Sequence, residues 1–302
     1  MANILLRDNP LNVQHWRRYI EREIGFVLPD VQLQWLMNAV AHTAAAHKLT
    51  VFQLWMMLPT NSELRQQLFD AVIIPETRFF RHIPSIDFIT EFALQRYKQA
   101  ENTESCDDKC FRIWSVGCAS GQEVWTLAMS LASEQLKNFK ILGTDVSEKA
   151  LEKARLGQYD KRQLYTIPQH FQKFTQPIES NNDSSEIVSS SKGRGSEGIG
   201  VDRNSPSDWQ VATLLRSHVN FVWHNIFTQE IPTSHLQQVI ICQNMLLYFR
   251  KFDQRDILKR LSAQCAVGGY LVLAPGEALF WRPSNMRRIV HSQINVWQKI
   301  SA

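Results

Sequence analysis

The chain has no long apolar run, no closely paired cysteines and no block of one charge, and each absence narrows what it can be. None of its 302 residues lies in a stretch approaching the ~18 apolar residues that a membrane span needs, so no membrane insertion is expected. The opening "MANILLRDNP" meets a charge and a proline after three apolar residues, and reads as neither signal peptide nor anchor. Five cysteines, Cys106, Cys110, Cys118, Cys242 and Cys265, are scattered without a CxxC pair. That pattern fits a reducing cytoplasm better than a disulfide framework. Cys106 and Cys110 flank Asp107 and Asp108 in a polar connector without a histidine; linker thiols explain them better than a metal site. A net charge of +4 is mild, and no basic strip interleaved with aromatics suggests nucleic acid. Internal repeats are also lacking, and nothing requires more than a monomer.

What is present is an ordinary globular composition, 44% hydrophobic and 21% charged. The length suggests two domains. Residues 1–100 read as helices. "NVQHWRRYIEREIGFVL" sets Trp16, Ile20 and Ile24 on one stripe. "DVQLQWLMNAVAHTAAAHK" opens with Asp30 as a candidate N-cap, "TNSELRQQLFDAV" with Thr60 or Asn61. "IDFITEFALQRYKQA" is a further helix, and the polar connector after it marks the boundary.

From Phe111 short β-rich runs alternate with helical ones. "FRIWSVG", "FKILGTD", "HVNFVWHNI", "QVIICQN" and "GYLVLAP" read as strands; "EVWTLAMSLASEQL", "SEKALEKARLGQY" (capped by Ser147) and "KFDQRDILKRLSAQCAV" read as helices. That alternation means an α/β domain over 101–302, its doubly wound sheet covered on both faces. "IVHSQINVWQKI" reads as a terminal edge strand. Residues 177–208, rich in Ser, Asn, Asp and Gly, bury too little to order themselves, and read as a mobile loop.

"SVGCASGQE" follows a strand and opens a helix, so Gly117 and Gly121 let the backbone approach a ligand. It is not the GxGxxG of dinucleotide sites. Asp145 ends the second strand, where an acid either holds a ribose diol or caps the next helix. Glu123 adds a carboxylate nearby. Carboxylates around a Gly-rich turn repel phosphate and suit a cationic nucleoside such as S-adenosylmethionine. In "CQNMLLYF", Gln243 and Asn244 stand at a strand end, where such sheets bind ligands. Adjacent Phe79 and Phe80 in "ETRFFR" cannot both face one core from a regular element.

Together "ETRFFR", "IWSVGCASGQE", "GTDVSEKALEKARLGQY", "CQNMLLYF" and "ILKRL" resemble, in order and spacing, the chemotaxis-receptor glutamate O-methyltransferases, the CheR family. The resemblance implies a class I, Rossmann-like methyltransferase sheet with a small all-α N-terminal domain. It implies S-adenosylmethionine as cofactor, S-adenosylhomocysteine as product, and the cytoplasmic domain of a methyl-accepting chemoreceptor as partner. By motif position, Thr77, Arg81, Gly117, Glu123, Asp145, Asn225, Gln243 and Asn244 bind cofactor. Arg81 and Tyr248 serve catalysis, and Phe79 and Phe80 wedge their segment between the two domains.

This chain departs from the family pattern in several places. Pro75 replaces asparagine, Gln243 replaces arginine, and Gln122, Val124 and Trp125 replace the "EPY" neighbourhood. "APGEALF" leaves Glu277 as the acid matching "GHSE". The second helix lacks an arginine-rich face, and the Ser-rich loop stands in for a β-subdomain whose last strand survives as "WQVATLL". A methyltransferase of another acceptor, and an idle cofactor-binding adaptor, are the competing readings.

Overall fold

Asn12 accepts a hydrogen bond from the Gln14 N–H and so starts helix α1 (Val13–Ile24), which stops at Gly25 with φ 76°. A Cβ on Gly25 would meet Phe227 and Phe249 at 2.8 Å, so only glycine permits this close approach. The computed structural model describes residues 12–74, 76–101, 110–178 and 209–302; Pro75, Cys106 and most of the Ser-rich segment lie outside them. α2 (Leu33–Ala46), α3 (Val51–Met57) and α4 (Ser62–Val72) follow. Asp30 does not cap α2: a 3-10 turn, Asp30–Gln32, precedes the helix, and the Asp30 carboxylate pairs with Arg17 at 2.8 Å. Asn61 caps α4. α3, not anticipated from the sequence, begins with a capping box between Thr50 and Gln53. Trp16, Ile20, Leu36, Leu54 and Leu68 join these helices in one apolar cluster.

Helix α5 (Ile83–Glu101) packs elsewhere. Ile86, Ile89 and Ala93 enter the core of the following sheet, so apolar packing changes hands between Val72 and Phe79. Phe79 and Phe80 enter that same core, instead of wedging between two domains. Phe79 meets Tyr159 edge-on with centroids 4.9 Å apart, and Phe80 stacks on Phe171 at 4.7 Å. Phe80 sits at φ 51°, and its N–H donates to Thr126 Oγ1 at 3.1 Å. This left-handed turn lets neighbours reach one core, which a helix or strand forbids.

The α/β part runs β1 (Phe111–Val116), α6 (Gln122–Ser133), β2 (Phe139–Asp145) and α7 (Glu148–Leu156). Next come β3 (Gln158–Tyr159), a single turn α8 (Lys161–Leu164), β4 (Thr175–Pro177), β5 (Trp209–Val211) and another single turn α9 (Thr213–Arg216). β6 (Val219–Trp223), β7 (Gln237–Cys242), α10 (Lys251–Gln264), β8 (Cys265–Leu273), β9 (Met286–Ile289) and β10 (Asn295–Lys299) complete it. The main sheet is ordered β6-β2-β1-β7-β8-β10-β9. All pairs from β6 to β8 are parallel, and β10 is antiparallel to both neighbours. This is a doubly wound, Rossmann-like sheet whose strand order reverses at β1 and β7.

Three expectations change. β10 is not the edge strand, because β9 pairs along its outer side. α10 stops at Gln264, and β8 begins at Cys265, buried and paired with Gln237. Of the expected strand "WQVATLL" only Trp209–Val211 is extended, as β5, which joins β3 and β4 in a small antiparallel sheet, while Thr213–Leu215 turn into α9. Residues 179–208, between β4 and β5, lie outside the described residues. Among the described residues, no helix is long and apolar enough to cross a membrane.

Candidate functional site

The turn after β1 is shaped by three left-handed residues, Gly117 (φ 73°), Ala119 (φ 48°) and Gly121 (φ 89°). A Cβ on Gly121 would lie 2.7 Å from Ala154 Cβ, and one on Gly117 would lie 2.9 Å from Met245 Sδ. Glycine there lets the turn sit tightly between α7 and the strand-end loop of β7. The turn is bound to β2: Gly117 and Cys118 N–H both donate to the Thr144 carbonyl, at 2.8 and 2.9 Å.

Asp145 clamps this arrangement. Its Oδ2 accepts from Ala119 N–H at 2.8 Å, and its Oδ1 from Ser147 N–H at 2.9 Å. The capping of α7 belongs to Ser147, whose Oγ accepts from Ala150 N–H. Each Asp145 oxygen thus keeps accepting capacity for a ligand. Burial raises the Asp145 carboxyl, against three backbone N–H bonds that lower it. Glu123, in the first turn of α6, accepts from Ser115 Oγ at 2.7 Å. Burial pushes it up to about 7, against the Ser115 hydrogen bond and the positive charge of Arg81.

Arg81 braces its own segment by donating to the Glu76 carbonyl at 3.0 Å. Tyr248 stacks on Phe26 with centroids 5.2 Å apart, and its carbonyl accepts from Val27 N–H at 2.8 Å. The hydroxyls of Thr77 and Tyr248 meet no partner among the described residues. Asn244 holds φ 58°, and its N–H donates to Glu277 Oε2, which also takes Ala274 N–H. Glu277 therefore pins the turn that carries Tyr248.

All nine residues singled out from the sequence line one cleft of roughly 1350 Å³, its open mouth included. They do not all offer free polar groups to it. Gln243 donates its amide to Ser85 Oγ (3.0 Å) and the Leu273 carbonyl (3.2 Å), tying α5 to the sheet. The Asn225 amide donates to the Glu23 carbonyl at 2.8 Å, and its Oδ1 accepts from Phe227 N–H. Both side chains hold the walls together. Sequence reasoning missed the wall formed by Ile24, Phe26, Leu28 and Gln32, as well as Arg78 and His224. Only the apolar character of the first three hinted at burial. His224 donates its backbone N–H to the Asp145 carbonyl, and burial lowers its imidazole pKa.

Two carboxylates beside a glycine turn, with no cation among the turn residues themselves, fit a cationic nucleoside ligand and not a nucleoside phosphate. Fold and site together define an S-adenosylmethionine-dependent methyltransferase. The chain belongs to the CheR methyltransferase family: the family model described as "CheR methyltransferase, SAM binding domain" matches residues 75–192 and 201–296. Chemotaxis protein methyltransferase 1 of Pseudomonas aeruginosa is 26% identical over 235 residues, covering 75% of this chain and 74% of that protein. The chemotaxis protein methyltransferase of Salmonella typhimurium is 25% identical over 278 residues, covering 88% and 84%. A probable biofilm formation methyltransferase, WspC of P. aeruginosa, is 25% identical over 243 residues, covering 78% of this chain and 49% of the relative.

Proposed function

We propose that this methyltransferase esterifies glutamate side chains in the signalling domain of a methyl-accepting chemoreceptor, acting in the cytoplasm as a monomer. The observation that carries the reading is the company kept in one cleft: the carboxylates of Glu123 and Asp145 line it together with the Arg81 guanidinium and the Tyr248 hydroxyl, which meets no partner among the described residues. The first pair suits a cationic donor, the second an anionic acceptor.

S-adenosylmethionine supplies a sulfonium methyl group open to nucleophilic attack. Asp145 would accept from the ribose hydroxyls, Glu123 would face the ammonium of the methionine part, and Thr77 would offer its hydroxyl. Asn225, Gln243 and Asn244 would contribute through position: the first two hold the walls, and the third shapes the turn under Tyr248. The acceptor needs no general base, because a glutamate of pKa ~4.3 is ionised at neutral pH. The residues must instead align it and exclude water, which can supply roughly 7–11 kcal/mol. Arg81 orients the carboxylate without clamping it, since a tight ion pair would favour the charged ground state over the charge-dispersed transition state. Tyr248 donates its hydroxyl to the same group.

A specialised chemosensory system, for surface or pilus-based motility, is the finer reading. Its support is the likeness to WspC and the exposed face of α2, where Gln34, Asn38, Ala41, His42 and Ala45 supply no arginine. Calorimetry with S-adenosylhomocysteine on wild type and Asp145→Ala, followed by labelled-methyl transfer to purified receptor signalling domains, tests the proposal. Binding that Asp145→Ala abolishes, together with base-labile methyl esters on the receptor, is expected. A wild type that binds the product but esterifies no receptor would overturn it.

A further inference from the structure

Two arginines of the 76–82 segment line the cleft, and their surroundings differ. Arg81 is exposed but already engaged by the chain: its guanidinium donates to the Glu76 carbonyl, and its charge acts on Glu123. Arg78 is exposed at the mouth and meets no acceptor or carboxylate among the described residues. Glu76 also borders the cleft, and burial favours the neutral form of His82, so the segment carries a net positive charge. A cation on a short turn at the rim of a cleft attracts an anion arriving from solvent.

An apolar ledge adjoins this rim. Val31 is 89% exposed, Trp35 44% and Ile74 51%. They form one group because the Trp35 indole N–H donates to the Val72 carbonyl at 3.1 Å. Val31 stands one helical turn before Trp35, and Ile74 two residues beyond Val72. Gln32 and Ile74 line the cleft, so the ledge continues into its mouth. An indole fixed by its own N–H, with its ring half open, can gain contact without losing rotamer freedom.

We propose that Arg78 receives carboxylates of the incoming acceptor segment while the Val31–Trp35–Ile74 ledge docks its apolar side. The partner surface is therefore a protein segment carrying carboxylates beside apolar side chains. This inference rests on the glutamate-esterification reading. It divides the labour of the two arginines: Arg78 captures the segment at the rim, and Arg81 orients the reacting carboxylate inside. A small free acid would leave the ledge unused.

The test is steady-state transfer of labelled methyl to a receptor signalling domain that the wild type esterifies, at low and high salt. Arg78→Ala should raise the KM for receptor about tenfold, lower kcat less than about threefold, and leave S-adenosylhomocysteine affinity unchanged. Arg78→Lys should restore part of the loss, and the salt dependence of KM should be smaller in Arg78→Ala. Val31→Ser with Ile74→Ser should raise KM at unchanged Tm, since both side chains are exposed. An active wild type whose variants keep its KM overturns this inference alone. A wild type that binds S-adenosylhomocysteine yet esterifies no receptor domain overturns the underlying reading, and the inference with it.

Discussion

Replacing Glu123 by glutamine should stabilise the ligand-free protein while weakening the ligand site. Burial raises Glu123 from 4.5 to about 7, and neither the Ser115 hydroxyl nor the charge of Arg81 offsets it. The folded protein thus binds this proton more tightly than the unfolded chain does. The stability contributed by the group is full below pH 4.5 and is lost as the pH rises through about 7. At ~1.4 kcal/mol per unit, the difference amounts to roughly 3 kcal/mol above pH 7. Glutamine retains an acceptor for Ser115 Oγ and does not titrate. Urea unfolding should therefore show wild type and Glu123→Gln within ~0.5 kcal/mol at pH 4, and the variant more stable by up to ~3 kcal/mol at pH 8, with equal m-values. Asp70, Asp145 and Glu277 are raised by burial as well, so the difference between the two proteins isolates Glu123. A bound ammonium would restore the ionised form. Wild-type affinity for S-adenosylhomocysteine should then tighten by about tenfold between pH 6 and 8, whereas the variant should bind weakly without that trend. A variant no more stable than wild type at pH 8 would refute the reasoning, because Glu123 would then not be an uncompensated charge.

Other substitutions separate binding, chemistry and scaffolding. Tyr248→Phe keeps the stack on Phe26; stability should change by under ~0.5 kcal/mol, and kcat should fall about tenfold or more with product affinity unchanged. Asp145→Asn turns an amide donor toward one of two backbone N–H groups now bound to the carboxylate. It should lose about 1–3 kcal/mol in urea unfolding and most of its affinity for S-adenosylhomocysteine by calorimetry. Asn225→Ala frees the Glu23 carbonyl and the Phe227 N–H. A loss of about 1–2 kcal/mol and a weaker ligand Kd are expected, because the wall from Ile24 to Leu28 then loses one of its ties and keeps the Val27–Tyr248 hydrogen bond.

Much of this protein was legible from local order. The β1 turn and helix of "SVGCASGQE", the acid ending "FKILGTD", the Asn61 and Ser147 caps, and the strand periods are properties of residues within one or two turns of each other. Caps, glycine conformation and side-chain alternation act at that range, so a sequence displays them directly. The same local reading failed where a neighbour in space overruled a neighbour in the chain. Phe79 and Phe80 share a core because Thr126 holds the Phe80 N–H in a left-handed turn. β10 is interior because β9 pairs outside it. The resemblance named Asn225 and Gln243, yet their partners lie 202 and 158 positions away, and only folding shows that these amides hold walls together. Arg78 and Arg81 are alike as letters and both exposed; Arg81 is held by the Glu76 carbonyl and acts on Glu123, whereas Arg78 meets no partner among the described residues. The sequence by itself therefore determined the fold class and the chemistry of the residues that meet in the cleft. Tertiary structure alone decided which of their polar groups stay available to a ligand, because a hydrogen bond depends on where its partner stands in space.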